Sequence, residues 1–135
     1  MTARRETATM TTGSGSQGSS SSQQQSSQGS SIMTFSRWNL RDQNPTNIQK
    51  LTDLARESRT LFQKYGATNF NACRVETGQH AGQYVTVISF PNWETYGQAM
   101  NHIQQDEVYT KLQSDVQQIA KLDGRTIISE ISLPN

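Results

Sequence analysis

A chain of 135 residues is long enough for one domain. Its formal net charge is only +1, so no basic stripe argues for nucleic acid, and no apolar run approaches the roughly 18 residues that cross a membrane. The single cysteine, Cys73, excludes an intramolecular disulfide and a cysteine-based metal cluster; it fits a reducing, cytoplasmic setting, as a small half-buried strand residue.

In chain order, the first feature is a low-complexity segment. Every residue from 13 to 31 is Gly, Ser or Gln. Such a run has no apolar side chain to bury, so nothing offsets the entropy of ordering it. Residues 1–31 are expected to be a disordered tail, and residues 32–135 the folded domain. The start MTARRETATMTT lacks the apolar stretch of a signal peptide. It reads as a solubilising tail, an added leader or a start codon placed too early, with Met33 standing where folding begins. The tail takes Arg4, Arg5 and Glu6 out of twelve basic and eleven acidic residues, which leaves ten of each in the domain.

Residues 32–40, IMTFSRWNL, alternate as a strand does, with Ile32, Thr34, Ser36, Trp38 and Leu40 on one face. Asn44-Pro45 is a helix start: a capping side chain, then a residue whose missing N–H is no loss in the first turn. Ile48, Leu51, Leu54, Ala55, Leu61, Phe62 and Tyr65 follow at helical spacing, and Gly66 supplies the exit. A second strand is predicted over 67–76 and a third, rich in β-branched and aromatic residues, over 83–90. The glycines between them mark a hairpin. Asn92 caps a helix carrying Trp93, Tyr96, Gly97, Met100 and Ile103 on one stripe. Gln104-Gln105-Asp106 interrupts it. Val108, Leu112, Val116, Ile119 and Leu122 continue as another helix, stopped by Asp123-Gly124. The last strand is predicted over 125–133, with Ile127, Ile131 and Leu133 on one face.

The order is β-α-β-β-α-β with a broken second helix: an α+β, ferredoxin-like arrangement whose helices cover one face of a four-stranded antiparallel sheet. The other face carries a mixed set of side chains, suited to solvent or to a second sheet.

The small motifs Tyr65-Gly66-Ala67, Arg74-Val75-Glu76-Thr77-Gly78, Gly82-Gln83-Tyr84, Phe90-Pro91-Asn92-Trp93-Glu94-Thr95-Tyr96 and Asp106-Glu107-Val108-Tyr109 sit at the joints of this topology. The pattern over residues 32–135 resembles the dimeric α+β barrel superfamily, which includes small antibiotic-biosynthesis-type monooxygenases and stress-responsive barrel proteins. The resemblance implies a homodimer formed through the open sheet face, and a ligand pocket between sheet and helices or at the barrel mouth. One branch of that superfamily degrades haem with a helix histidine as iron ligand. The corresponding stretch here, Lys111-Leu112-Gln113-Ser114, has no histidine, and Trp93 stands at the helix start rather than further along. Haem is therefore not expected, and no other cofactor or metal motif occurs.

Six residues are candidates for chemistry or binding. His80, at a glycine hairpin, and His102, late in a helix, are the residues able to act as a base near neutral pH; each also suits a solvated surface position. Arg74 faces Tyr84 across the hairpin, where a cation would stabilise a carboxylate or enolate, or else pair with an acid such as Glu130. Trp38 and Asn39 stand near the end of the first strand, where pockets of the resembled family open. The expected function is binding of a hydrophobic or aromatic small molecule by a homodimer, with cofactor-independent monooxygenase-like or isomerase-like chemistry. In such chemistry a substrate that forms its own carbanion needs only a dry cavity and polar groups to stabilise charge. The competing expectation is a non-enzymatic dimeric binding or assembly module.

Overall fold

A computed structural model describes residues 30–134 of the chain. The tail expected over residues 1–31 lies, apart from Ser30 and Ser31, outside the described residues. The elements are β1 (Ile32–Leu40), α1 (Pro45–Lys64), β2 (Asn69–Arg74), β3 (Tyr84–Phe90), α2 (Trp93–Ile103), α3 (Glu107–Ile119) and β4 (Ala120–Ser129). The strands form one antiparallel sheet in the order β2-β3-β1-β4. This is the ferredoxin-like α+β fold that the element order predicts.

Local chemistry accounts for the joints. Asn44 accepts a hydrogen bond from the Asn47 amide at 2.7 Å, with Pro45 opening α1. Asn92 does the same for α2 through the Thr95 amide at 2.8 Å. At the end of α1, the Ala67 amide bonds the Phe62 carbonyl at 3.0 Å and the Gly66 amide bonds Gln63 at 3.2 Å. That pair of bonds is a Schellman motif, and it holds Gly66 at φ +111°.

The inner sheet face, under the helices, carries Ile32, Thr34, Ser36, Trp38 and Leu40 from β1. Phe90, Ile88, Thr86 and Tyr84 of β3 lie beside the first four. Two apolar clusters hold the layers together. One contains Ile32, Phe62, Phe70, Ile88, Phe90 and Ile103; the other contains Leu40, Ile119 and Ala120, with Trp38, Leu51, Leu54, Tyr84 and Val116 packed on it. Thr34 and Ser36 fall between the clusters and are buried.

Three sequence expectations are corrected. β4 begins at Ala120 and ends at Ser129, instead of covering 125–133. Asp123-Gly124 does not stop a helix. It lies inside the strand, where the register shifts: Arg37 pairs with Gly124 and Trp38 with Leu122, so Asp123 is the extra residue of a bulge. Alternate residues 120 and 122 suit a strand as well as a helix, and pairing to Asn39 and Leu40 of β1 decides between them. Ile131 and Leu133 consequently lie past the strand, 74% and 77% exposed. The apolar stripes also differ in detail. Trp93 and Val108 are exposed. Tyr109, rather than Val108, packs against the first cluster, and an edge-to-face contact with Phe62 seats it there.

Candidate functional site

The centre of the inner sheet face is built from small residues. Thr34 and Ser36 of β1, Thr86 of β3 and Ala72 of β2 cannot reach across to the helices. The facing stripe of α1 has a matching gap: between Ala55 and Phe62 the cavity is lined by half-buried Ser58 and by the exposed Arg56 and Arg59. Two depleted surfaces face each other between two well-packed clusters, and a cavity of about 570 Å³ results. Its size falls in the usual range of small-molecule sites, about 300–1,000 Å³. Trp38, Phe62, Phe70, Phe90, Tyr96 and Tyr109 give it an aromatic wall, and Leu51, Leu54, Leu112 and Val116 an aliphatic one.

The polar groups of the wall are hydroxyls, guanidinium groups, the carboxamides of Asn71 and Gln113 and the Cys73 thiol. The Trp38 indole N–H donates to Thr86 Oγ1 at 3.1 Å, which fixes the ring on the cavity wall. Arg125 Nε donates to Ser36 Oγ at 2.9 Å. Every charged lining residue is an arginine: Arg56, Arg59, Arg74 and Arg125. Among the described residues, no Asp, Glu, Lys or His lines the cavity.

The structure divides the six candidate residues. Trp38, Arg74 and Tyr84 line the cavity together. Arg74 lies opposite Tyr84 in the β2–β3 register. Its ion-pair partner is Glu76, with Nε and one terminal nitrogen at 3.2 and 3.1 Å from the two carboxylate oxygens. That hydrogen-bonded carboxylate, with a smaller contribution from Tyr84, raises the Arg74 pKa, so the group stays a cation. The partner foreseen as Glu130 is therefore Glu76, two residues along the same chain segment. Asn39 lies on the other face of β1 and is exposed. His80 is half-buried in the hairpin between β2 and β3, where its carbonyl accepts from the Gln83 amide at 3.1 Å. His102 is exposed on α2 and stacks on Tyr65, ring centres 5.7 Å apart and planes at 10°. Neither histidine lines the cavity. Cys73 is exposed rather than half-buried.

Sequence reasoning passed over Ser36, Thr86, Arg59 and Arg125. A signal for two of them was present: the drop in side-chain size in the middle of β1, and the polar interruption of the α1 stripe. Arg125 shares a face with Ile127 by alternation, but only the pairing with β1 shows that this face turns inward.

Among the described residues no cluster of three or more His, Cys, Asp or Glu side chains could hold a metal ion, and no helix is long and apolar enough to cross a membrane.

No protein-family model and no curated protein sequence matches the chain. Solved structures do. The chain is similar to SnoaB, a cofactor-independent oxygenase from Streptomyces nogalater, with 10% identity and a TM-score of 0.58 over 78% of this chain and 98% of that one. It is similar to a dimeric ferredoxin-like protein from an uncultured marine organism, with 9% identity and a TM-score of 0.60 over 78% and 99%. A conserved protein of unknown function from Bacteroides thetaiotaomicron shares 14% identity at a TM-score of 0.56 over 76% and 99%. The likeness is one of fold, the ferredoxin-like α+β fold.

Proposed function

We propose that this protein is a homodimer that binds a hydrophobic or aromatic small molecule in the cavity between its sheet and its helices. The cavity carries the reading: about 570 Å³, walled by aromatic rings and crossed by oriented hydroxyls and guanidinium groups. A core that only had to be stable would fill this space, since voids cost stability.

The dimer is supported by the sheet's outer face. Met33 and Phe35 of β1, Val85 and Val87 of β3 and Ile128 of β4 alternate with the inner residues, and among the described residues no helix covers them. A domain of this size gains stability by covering such a face, and a two-fold pair is the commonest way.

If the protein is an enzyme, cofactor-independent oxygenation fits the wall best, as named for SnoaB. A substrate with an acidic CH2 gives up a proton, its carbanion takes up dioxygen to give a hydroperoxide, and loss of the second hydrogen with cleavage of the O–O bond leaves one oxygen on carbon as a carbonyl and releases the other as water. The protein's part is to exclude water and to stabilise the anion through arginine. A second reading, a non-catalytic binding module, is favoured by one observation: among the described residues neither an imidazole nor a carboxylate lines the cavity to take that proton.

Native mass spectrometry of the purified chain tests the reading. A dimer that carries a small-molecule adduct, or that takes up added aromatic compounds, is expected. A monomer removes the paired sheet. A dimer that takes up nothing removes the ligand site.

A further inference from the structure

Resting on the cavity as a ligand site, we propose that its ligand is an amphipathic organic anion: an aromatic or aliphatic body ending in a carboxylate. The cavity's charges all have one sign. Two of the four arginines are already answered, Arg56 by Asp53 at 3.0 Å and Arg74 by Glu76 at 3.1 Å. Arg59 and Arg125 have no carboxylate within ion-pair distance among the described residues.

Arg125 is also held in place. Its Nε–H is committed to the hydroxyl of Ser36, a residue only 3% exposed on the cavity floor. That bond fixes the plane of the guanidinium and leaves its terminal N–H groups for another acceptor. The planar fork matches a carboxylate in two parallel bonds, an arrangement a lysine would not select. Ser36 accepts from Arg125 and retains its own hydrogen to donate. Around this polar point the wall is apolar, with Phe62, Phe70 and Leu112 among its members. A neutral apolar ligand would cover these cations and strip water from them with nothing in return. An anion of the same shape replaces the lost water with a charged partner.

The test is isothermal titration calorimetry on the full chain with two probes of one ring system, a naphthalene carboxylate and the uncharged naphthylmethanol. The carboxylate should bind about tenfold more tightly or better, the effect expected of one charge-assisted hydrogen-bond pair. Arg125→Gln should remove that preference, chiefly by weakening the carboxylate. Arg59→Gln, on an exposed helix position, should reduce the preference by less. Added salt should weaken the carboxylate more than the alcohol. Equal binding of the two probes by the native chain overturns the anion while the ligand site stands. Retention of the preference in both arginine variants also overturns it. Failure of both probes to bind overturns the ligand site together with the anion.

Discussion

Ser36 and Arg125 face each other across the β1–β4 pair, and the hydrogen bond between them, 2.9 Å long, joins the floor of the cavity to its charged rim. The pairing exists because Asp123 is bulged out of the ladder. Were Asp123 paired in the ladder instead, Arg125 would fall opposite Phe35 and turn to the outer face.

Ser36→Ala removes the acceptor and leaves the strand pairing intact. The expected cost in stability is about 0.5–1.5 kcal/mol, that of one ordinary hydrogen bond. It should show as a lower denaturation midpoint with an unchanged slope. No change at all would mean that Arg125 is not held by Ser36 in solution.

Filling the cavity separates its role from that of the core. Thr34 lies between the two apolar clusters, is 6% exposed, and lines the cavity. Thr34→Leu should raise stability by about 0.5–2 kcal/mol, as cavity-filling changes commonly do. The same variant should lose uptake of aromatic ligands. A variant that binds them as well as the native chain places the ligand elsewhere.

Gly66 is the exit of α1, at φ +111°. A Cβ there would lie 2.9 Å from Thr95 Cγ2 at the start of α2. Gly66→Val therefore combines backbone strain with a clash against another helix. The strain alone is worth about 1–3 kcal/mol, and each kcal/mol lowers Tm by roughly 4–8 °C in a domain of this size. A melting curve that stays put would show that the α1 exit has another conformation.

Asp106 links the end of α1 to the start of α3. Its Oδ2 accepts from the Tyr65 hydroxyl at 2.7 Å, and its Oδ1 accepts from the Val108 amide at 2.8 Å at the start of α3. The Tyr65 hydrogen bond, followed by that of the amide, holds the Asp106 pKa below the usual carboxylate value. Folding thus favours the ionised carboxylate. The stability it contributes is complete above the unfolded pKa, about 3.9, and is lost as pH falls through the lower folded value. Asp106→Ala should melt several degrees below the native chain at neutral pH, and the two curves should converge in acid. A gap that keeps its size at every pH would assign the loss to packing. Tyr65 is pushed above its ordinary pKa first by the same hydrogen bond. Its contribution is present below about 10 and fades as pH rises past that value.

The elements and their order were legible in the chain because their signals are local. Asn44-Pro45, Asn92 and Gly66 each act within a few residues, as caps or as a turn, and the structure uses all three in those roles. Alternation over residues 32–40 likewise grouped Ile32, Thr34, Ser36, Trp38 and Leu40 on one face, and the fold turned that face inward. The placing of Arg74 opposite Tyr84 followed from hairpin geometry.

What tertiary structure decided was everything that depends on pairing between distant segments. Residues 120–122 satisfy a helix and a strand equally, and only hydrogen bonding to β1 drew them into β4, shifted Arg125 to the inner face and left Ile131 and Leu133 outside. The cavity arises in the same way. A small-residue stretch in β1 and a polar gap in α1 are each unremarkable alone, and they make a site only because the fold sets them face to face. His80 and His102 had the right chemistry in the sequence, but a side chain's reactivity says nothing about which surface the fold will turn it toward.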